Sequence, residues 1–175
     1  PGGPLVEKCA TKGDPEKYKF PMPLIHEKNS DFSFSGLKSS VAQKVLNKKI
    51  TEKFKCDVSA SFQKTITEIL LNKTRSAIKT FNSKTNNKKT VKVVVAGGVA
   101  ANQFIRRSME SLETEIDCKF YFPSLKLCTD NGAMIAYAGI ERYQRSIFNK
   151  LSFKPRPRWP LDKKAIFMKG KRISV

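Results

Sequence analysis

The chain of 175 residues contains no apolar run that approaches the roughly 18 residues needed to cross a bilayer. Its longest apolar stretch, around residues 93–96, has the length of a strand. The first residues, PGGPLVEK, lack the basic region followed by an apolar stretch that marks a secretory signal. We therefore expect no membrane partner, and the absence of an initial Met predicts that further sequence lies upstream.

Metal-binding patterns are scarce as well. The four cysteines, Cys9, Cys56, Cys118 and Cys128, form no CxxC pair, which argues against a zinc knuckle or a thioredoxin-type motif. They are most simply read as reduced thiols, although their even number would permit two disulfides. The single histidine, His26, lies in a proline-flanked connector and is predicted to be a surface residue.

Basic residues greatly outnumber acidic residues in this chain. The formal net charge is +19, which attracts polyanions such as RNA or DNA by sequence-independent electrostatics. Only 8 of the 34 basic residues are Arg, however, and a compositional bias toward Lys and Asn would produce the same excess. Residues 149–175 form a basic tail with interleaved aromatic residues, a mixture that suits single-stranded nucleic acid or a solvated tail equally well.

The first half of the chain has mainly helical spacing of its apolar residues. We predict helices over residues 5–11, 37–48 and 57–81, the last capped by Asp57, and a short strand over residues 31–34. A polar loop is expected over residues 82–89. Residues 1–88 are thus predicted to be a mainly helical segment that packs on a lobe.

After residue 89 the pattern alternates between strand and helix. Strands are predicted over residues 90–96 and 118–122, and helices over 101–113 and 131–144. Such alternation indicates an α/β fold with parallel strands, so residues 89–148 are predicted to be an α/β core that lines a nucleotide cleft. Two strands are few for a parallel sheet, and we therefore expect the rest of the sheet to belong to a larger, two-lobed protein.

The string VVVAGGVAAN carries the first candidate site. A buried strand that ends in Gly97 and Gly98 lets the backbone approach a ligand closely, and Asn102 stands where a helix should begin. The N–H groups of that helix would face a phosphate or carboxylate. An ordinary connection between a strand and a helix explains the same residues.

Asp130, in the string LCTDNGAMIA, is the second candidate. As a helix cap it would accept hydrogen bonds from backbone amides. Alternatively, its carboxylate is a hard oxygen ligand for a metal at the mouth of the cleft onto which Gly97 and Gly98 open.

Five blocks of the chain, in register and over nearly its whole length, closely resemble the C-terminal half of the TsaD family: PGGPLVEK, DFSFSGLKSSV, VVVAGGVAANQFIRR, LCTDNGAMIAYAGIERY and RPRWPLD. These are tRNA threonylcarbamoyladenosine biosynthesis proteins, formerly called O-sialoglycoprotein endopeptidases. The resemblance implies part of the second lobe of an actin-like, Hsp70-like ATPase fold. It also implies transfer of the threonylcarbamoyl group from threonylcarbamoyl-AMP to the tRNA adenosine adjacent to the anticodon.

The resemblance further implies roles for individual residues. Gly3 and Asn102 fall on family positions that contact the adenylate, Gly97 and Gly98 let the nucleotide approach, and Asp130 falls on a metal-ligand position. The implied cofactors are one divalent metal ion, iron by resemblance with zinc as the alternative, and threonylcarbamoyl-AMP or ATP. The implied partners are tRNA, proteins of the TsaB and TsaE type or a second copy, and the N-terminal half of the same protein. The implied compartment is the cytoplasm, with a mitochondrion or plastid as alternatives.

The chain departs from the family in its metal ligands. The family's other ligands are two histidines one helical turn apart in its first half, and His26 has no such partner. We therefore expect this chain to be inactive alone. Two other functions stay open: a non-catalytic nucleotide- and tRNA-binding subunit, and a metal-dependent glycoprotein endopeptidase, for which no HExxH motif is present.

Overall fold

The computed structural model describes residues 2–46, 48–86 and 89–155. Within these ranges it contains five α-helices and two strands, in the order α1 (Gly2–Ala10), α2 (Leu37–Val45), α3 (Glu52–Thr85), β1 (Val91–Val94), α4 (Gln103–Ser111), β2 (Cys118–Tyr121) and α5 (Gly132–Gln144). The chain divides into two compact units, the first ending at Asn131 and the second beginning at Gly132. The division into residues 1–88, 89–148 and 149–175 stays a prediction.

The first helix begins earlier than the predicted range of residues 5–11. Helix α1 begins at Gly2, so Gly3 and Pro4 belong to its first turn. Proline is tolerated there because the first N–H groups of a helix have no partner within the helix. Gly3 is exposed, and a Cβ at this position would meet no other atom within 4 Å.

Helix α3 is longer than its apolar pattern predicts. It begins at Glu52, and the Thr51 side chain caps it by accepting a hydrogen bond from the Phe54 N–H at 3.1 Å. The prediction that Asp57 caps this helix was wrong, because nothing between Thr51 and Asp57 interrupts a helix. The helix also continues through Thr85 into the predicted polar loop, and it ends at Asn86 in the left-handed conformation.

The predicted strand over residues 31–34 was also wrong. These residues have no regular secondary structure, and Phe32 and Phe34 are both exposed. Alternation of polar and apolar residues makes a strand only where a neighbouring strand supplies hydrogen bonds. Within the described residues only β1 and β2 pair with each other.

The predicted α/β alternation is confirmed. Strands β1 and β2 are parallel, with Val91 opposite Cys118 and Val94 opposite Tyr121. Helix α4 connects them, and its apolar face packs on the sheet together with α3. One cluster of buried residues joins these three elements: Ile78, Val91, Ile105, Met109, Leu112, Cys118 and Phe120.

Helix α3 also packs against the segments that precede it in the chain. A second apolar cluster, Phe20, Leu37 and Val58, lies where α3 packs against α2 and the segment that follows α1. Between residues 10 and 15 the chain runs so close to α3 that a Cβ on Gly13 would overlap the carbonyl group of Cys56. Lys73, which is fully buried, donates hydrogen bonds from Nζ to the carbonyl groups of Glu27 and Asn29 at 2.9 and 3.2 Å.

Helix α5 matches its predicted range to within one residue, and none of its residues is buried. The basic tail prediction falls mostly on residues 156–175, which lie outside the described residues. No helix in the described part of the chain combines the length and the hydropathy that a membrane span requires.

Candidate functional site

The turn after β1 exposes two glycines at the carboxyl end of the sheet. Gly97 has φ +90°, a conformation that favours glycine, and Gly98 begins a short 3₁₀-helix, Gly98–Ala101. Both glycines are exposed, and a Cβ on either would meet nothing within 4 Å. The backbone at this turn is therefore accessible to a ligand.

Asn102 links this turn to the two helices behind it. Its Oδ1 accepts a hydrogen bond from the Ile105 N–H at 3.0 Å and so caps α4, the helix start that the sequence predicts. Its Nδ2 donates to Oε1 of Gln63, on α3, at 2.8 Å. Gln63 itself is buried, so this amide pair fixes the start of α4 against α3.

Glu7 is a residue that sequence reasoning missed. It lies on α1, 96 residues before Gln103, and its Oε1 accepts a hydrogen bond from the Gln103 N–H at 2.7 Å. Together with the Asn102 cap, this bond occupies two of the first three N–H groups of α4. The expected anion site at this helix start is thus partly filled by a carboxylate of the protein. The sequence did contain one signal for Glu7. It lies four positions after the candidate site residue Gly3, and residues i and i+4 share one face of a helix.

Arg106 ties the glycine turn to the segment after β2. Its guanidinium donates from Nε to the Ala100 carbonyl group and from Nη2 to the Pro123 carbonyl group at 2.7 Å. The same nitrogen lies 3.1 Å from Sγ of Cys128, and the guanidinium stacks 4.9 Å from the centre of the Phe122 ring. One side chain therefore holds together the segments that follow the two parallel strands.

Asp130 lies two residues beyond the buried Cys128 and two before the start of α5, and its side chain is exposed. Because β1 and β2 are parallel, the glycine turn and the segment that carries Asp130 both follow the same edge of the sheet. Within the part of the chain that the structure describes, no hydrogen bond joins Asp130 to Gly97 or Gly98.

A metal ion takes four or more ligands, and Asp130 alone supplies one side chain. Among the described residues, Asp130 belongs to no group of three His, Cys, Asp or Glu ligand atoms, and His26 is an exposed residue of the connector between α1 and α2. This chain by itself therefore does not fit a metal at Asp130. The one such group in the described ranges is Cys9, Glu52 and Cys56, whose ligand atoms lie within 4.8 Å of one another.

Residues 1–137 match the family described as "TsaD: tRNA N6-adenosine threonylcarbamoyltransferase". The chain belongs to the TsaD family. The match covers α1, the glycine turn, Asn102 and Asp130.

Relatives named tRNA N6-adenosine threonylcarbamoyltransferase include proteins of Rickettsia massiliae, 47% identical over 163 residues, and Pelagibacter ubique, 47% identical over 176 residues. A third, from Rickettsia bellii, is 44% identical over 163 residues. The alignments cover 93%, 100% and 93% of this chain but 47%, 48% and 48% of those relatives. The chain thus spans about half the length of the TsaD relatives it matches. Membership of the TsaD family does not favour the two alternative functions, a metal-dependent glycoprotein endopeptidase and a non-catalytic nucleotide- and tRNA-binding subunit.

Proposed function

We propose that this chain forms one wall of the adenylate-binding site of a tRNA N6-adenosine threonylcarbamoyltransferase. The full protein would transfer the threonylcarbamoyl group from threonylcarbamoyl-AMP to the tRNA adenosine adjacent to the anticodon. The observation that carries the proposal is the open backbone at Gly97 and Gly98, at the carboxyl edge of a parallel sheet. Ligands of open α/β sheets bind at this edge.

In this proposal Glu7 binds the ribose. A carboxylate beside the start of α4 repels a phosphate group but accepts hydrogen bonds from sugar hydroxyl groups, as acidic residues do in dinucleotide sites. The hydrogen bond from Gln103 holds one oxygen of Glu7 in place. Gly3, one helical turn before Glu7, leaves room beside this carboxylate for the nucleotide.

Asn102 serves the site mainly by positioning. Both ends of its amide already bond to the protein, yet Oδ1 retains a lone pair and Nδ2 a hydrogen for the adenylate. The Asn102–Gln63 bond sets the distance between the glycine turn and α3. Accurate placement of the acyl donor is one way in which a binding wall contributes to group transfer.

Asp130 is proposed as the ligand that this chain contributes to a divalent metal site completed by residues outside it, with iron or zinc as the ion. Such an ion, when bound, would neutralise charge on the phosphate and carbamoyl oxygens. The positioning role of Arg106 is independent of that ion, because it holds the segment before Asp130 through Pro123 and Cys128.

The remaining proposals concern assembly. A small two-stranded parallel sheet and a helix α5 with five exposed large apolar or aromatic side chains fit a part of the second lobe of an actin-like ATPase fold. The net charge of +19 suits tRNA as partner. TsaB- and TsaE-type proteins, or a second copy, are the proposed protein partners.

The test uses the full-length parent protein with Gly98→Ala. This change adds one methyl group where the free chain has open space and no positive φ, so the melting temperature should stay within about 1 °C of wild type. If the nucleotide approaches this backbone, the methyl group meets it, and we expect the Kd for ATP to rise about tenfold or more. Calorimetric titration measures the affinity, and mass spectrometry of digested tRNA measures the modified nucleoside.

Gly139→Ala, at an exposed position on α5, is the matched control and should leave the affinity unchanged. If Gly98→Ala binds ATP with wild-type affinity, the nucleotide does not contact the backbone at Gly98 and this proposal is wrong. A wild-type parent that binds ATP but leaves tRNA unmodified, in the presence of threonine, bicarbonate and the enzyme that forms the adenylate, would identify a non-catalytic subunit.

A further inference from the structure

Two thiol groups meet between α1 and α3. Sγ of Cys9, in the last turn of α1, lies 2.9 Å from Sγ of Cys56, in the second turn of α3, and the two cysteines are 47 positions apart in the sequence. A disulfide bond is about 2.05 Å long, so the two sulfur atoms need to move by less than about 1 Å to form one. Both cysteines are free thiols in this structure.

The pair is open to small oxidants. It lies on the wall of a groove of about 480 Å³ that is mainly apolar and has Lys8, Lys12 and Lys55 on its lining. Cys9 is half-buried and Cys56 is buried. The hydrogen bond with Cys9, and then burial, raise the pKa of Cys56. Cys9 is the more exposed of the two thiols, so it is the one that meets an oxidant first.

We propose that Cys9 and Cys56 form a reversible redox site that closes to a disulfide. The Cys9 thiolate attacks one oxygen of hydrogen peroxide, which breaks the O–O bond, gives a sulfenic acid and releases hydroxide. The Cys56 sulfur then attacks the Cys9 sulfur and displaces water, with its proton going to the departing oxygen. In total, two thiols and one peroxide give one disulfide and two waters, and two electrons pass from the sulfurs to the peroxide.

The local charge favours a disulfide over a bound cation. Glu52 completes a group of three ligand atoms with the two sulfurs, but its carboxylate is already paired with Nζ of Lys55 at 2.6 Å. Lys12 adds a second positive charge that lowers the pKa of both Glu52 and Cys56, although other effects prevail at Cys56. A divalent cation would have to enter against both lysines, whereas a disulfide is uncharged.

The site is separate from the proposed function because its chemistry needs no nucleotide. It does bear on the same helix, since α1 carries Cys9 at its end and Glu7 half a turn earlier. A disulfide here would fix α1 against α3 and close a loop of 47 residues, which restricts the unfolded chain.

The experiment treats the reduced full-length protein with one equivalent of hydrogen peroxide at neutral pH. We expect the mass to fall by two hydrogen atoms, a single cross-linked peptide pair containing Cys9 and Cys56, and a melting temperature several degrees higher. Dithiothreitol should reverse all three changes. Cys9→Ser and Cys56→Ser should each abolish the cross-link, whereas Cys118→Ala should retain it.

Differential alkylation of the wild-type protein makes the test independent of whether these variants fold. The proposal is overturned if both cysteines remain open to alkylation after peroxide, or if Cys9 gains two oxygen atoms without a cross-link. It is equally overturned if the reduced protein binds one equivalent of zinc that protects both thiols, because the site would then be a cation site.

Discussion

Asp57 shows how a single residue can connect segments far apart in the sequence. Its side chain is buried, accepts a hydrogen bond from the Asp14 N–H at 2.9 Å, and pairs with Nζ of Lys53 at 3.2 Å. The hydrogen bond from Asp14, followed by the pairing with Lys53, holds the pKa of Asp57 below its ordinary value of 3.8. The carboxylate that the sequence suggested as a helix cap therefore holds the chain after α1 against α3.

The lowered pKa of Asp57 predicts acid sensitivity. Because its folded-state pKa lies below the unfolded value, the stabilisation is fully present above pH 3.8 and is lost as the pH falls through the folded pKa. Asp57→Asn should therefore melt at a lower temperature than wild type at about pH 7, and the difference should be smaller at about pH 3. Thermal unfolding of both proteins across this range is the measurement.

Asp31→Asn, which changes an exposed carboxylate, is the control and should melt like wild type throughout. A difference for Asp57→Asn that stays constant between the two pH values would assign the effect to packing and not to charge.

At this scale the sequence predicted the residues whose role is local. Asn102 was predicted at a helix start because N-cap preference depends on neighbouring residues, and Gly97 because a positive φ favours glycine. Glu7 and Gln63 were not predicted, because their partners lie 96 and 39 residues away. Contacts of that range depend on how helices pack, which the local pattern does not contain.

Among the elements, α3 is the least typical. It has 34 residues, and its buried positions include the polar residues Asp57, Ser61, Gln63, Thr65, Thr67 and Lys73. Several of these bond to segments that have no regular secondary structure, as Ser61 does to the Tyr18 N–H and Lys73 to the connector around residue 28. A helix that holds connectors through polar side chains does not show a simple apolar stripe, so the apolar pattern placed its start at residue 57.

Lys73 provides a test of this role of α3. Lys73→Met keeps much of the side-chain volume but leaves the carbonyl groups of Glu27 and Asn29 without their donor. We expect a loss of about 1–3 kcal/mol in the free energy of unfolding and faster amide hydrogen exchange over residues 25–30. Chemical denaturation and hydrogen-exchange mass spectrometry measure the two effects.

Lys79→Met, at an exposed position of the same helix, is the matched control and should change neither quantity. Unchanged exchange over residues 25–30 in Lys73→Met would show that the connector is held by other contacts.

Strands and short helices of the α/β part were predicted to within a few residues, because each has its own periodic pattern and clear ends. Strand β2 and helix α5 are the closest matches. Residues 31–34 failed because a strand also needs a partner strand, and the sequence of a segment does not say whether one is near.

For the whole molecule, charge is the property that composition fixes most directly. The excess of 34 basic over 15 acidic residues follows from counting, and a positive charge of this size attracts polyanions, although a compositional bias toward Lys produces the same count. Nine of the basic residues belong to residues 150–175.

The basic tail gives the prediction at this scale. If it binds RNA phosphates, charge reversal of Arg156, Arg158, Lys163 and Lys164 in the full-length protein should weaken tRNA binding. The slope of log K against log salt should flatten by about 0.7–0.9 for each phosphate contact that is lost. Filter binding of tRNA at several salt concentrations measures this slope.

Reversal of four other exposed lysines controls for net charge alone: Lys19, Lys38, Lys48 and Lys49. An equal change of slope in both variants would mean that tRNA responds to total charge and not to the tail.

The crowding at Gly13 limits which residues can occupy this position during evolution. A side chain of any size there would strike the backbone of α3, and backbone, unlike the tip of a long side chain, cannot step aside. Saturation mutagenesis should find position 13 closed to all nineteen alternatives while Gly2, with empty surroundings, accepts many. Substitutions can accumulate at many of the exposed lysines, whereas position 13 has to remain glycine.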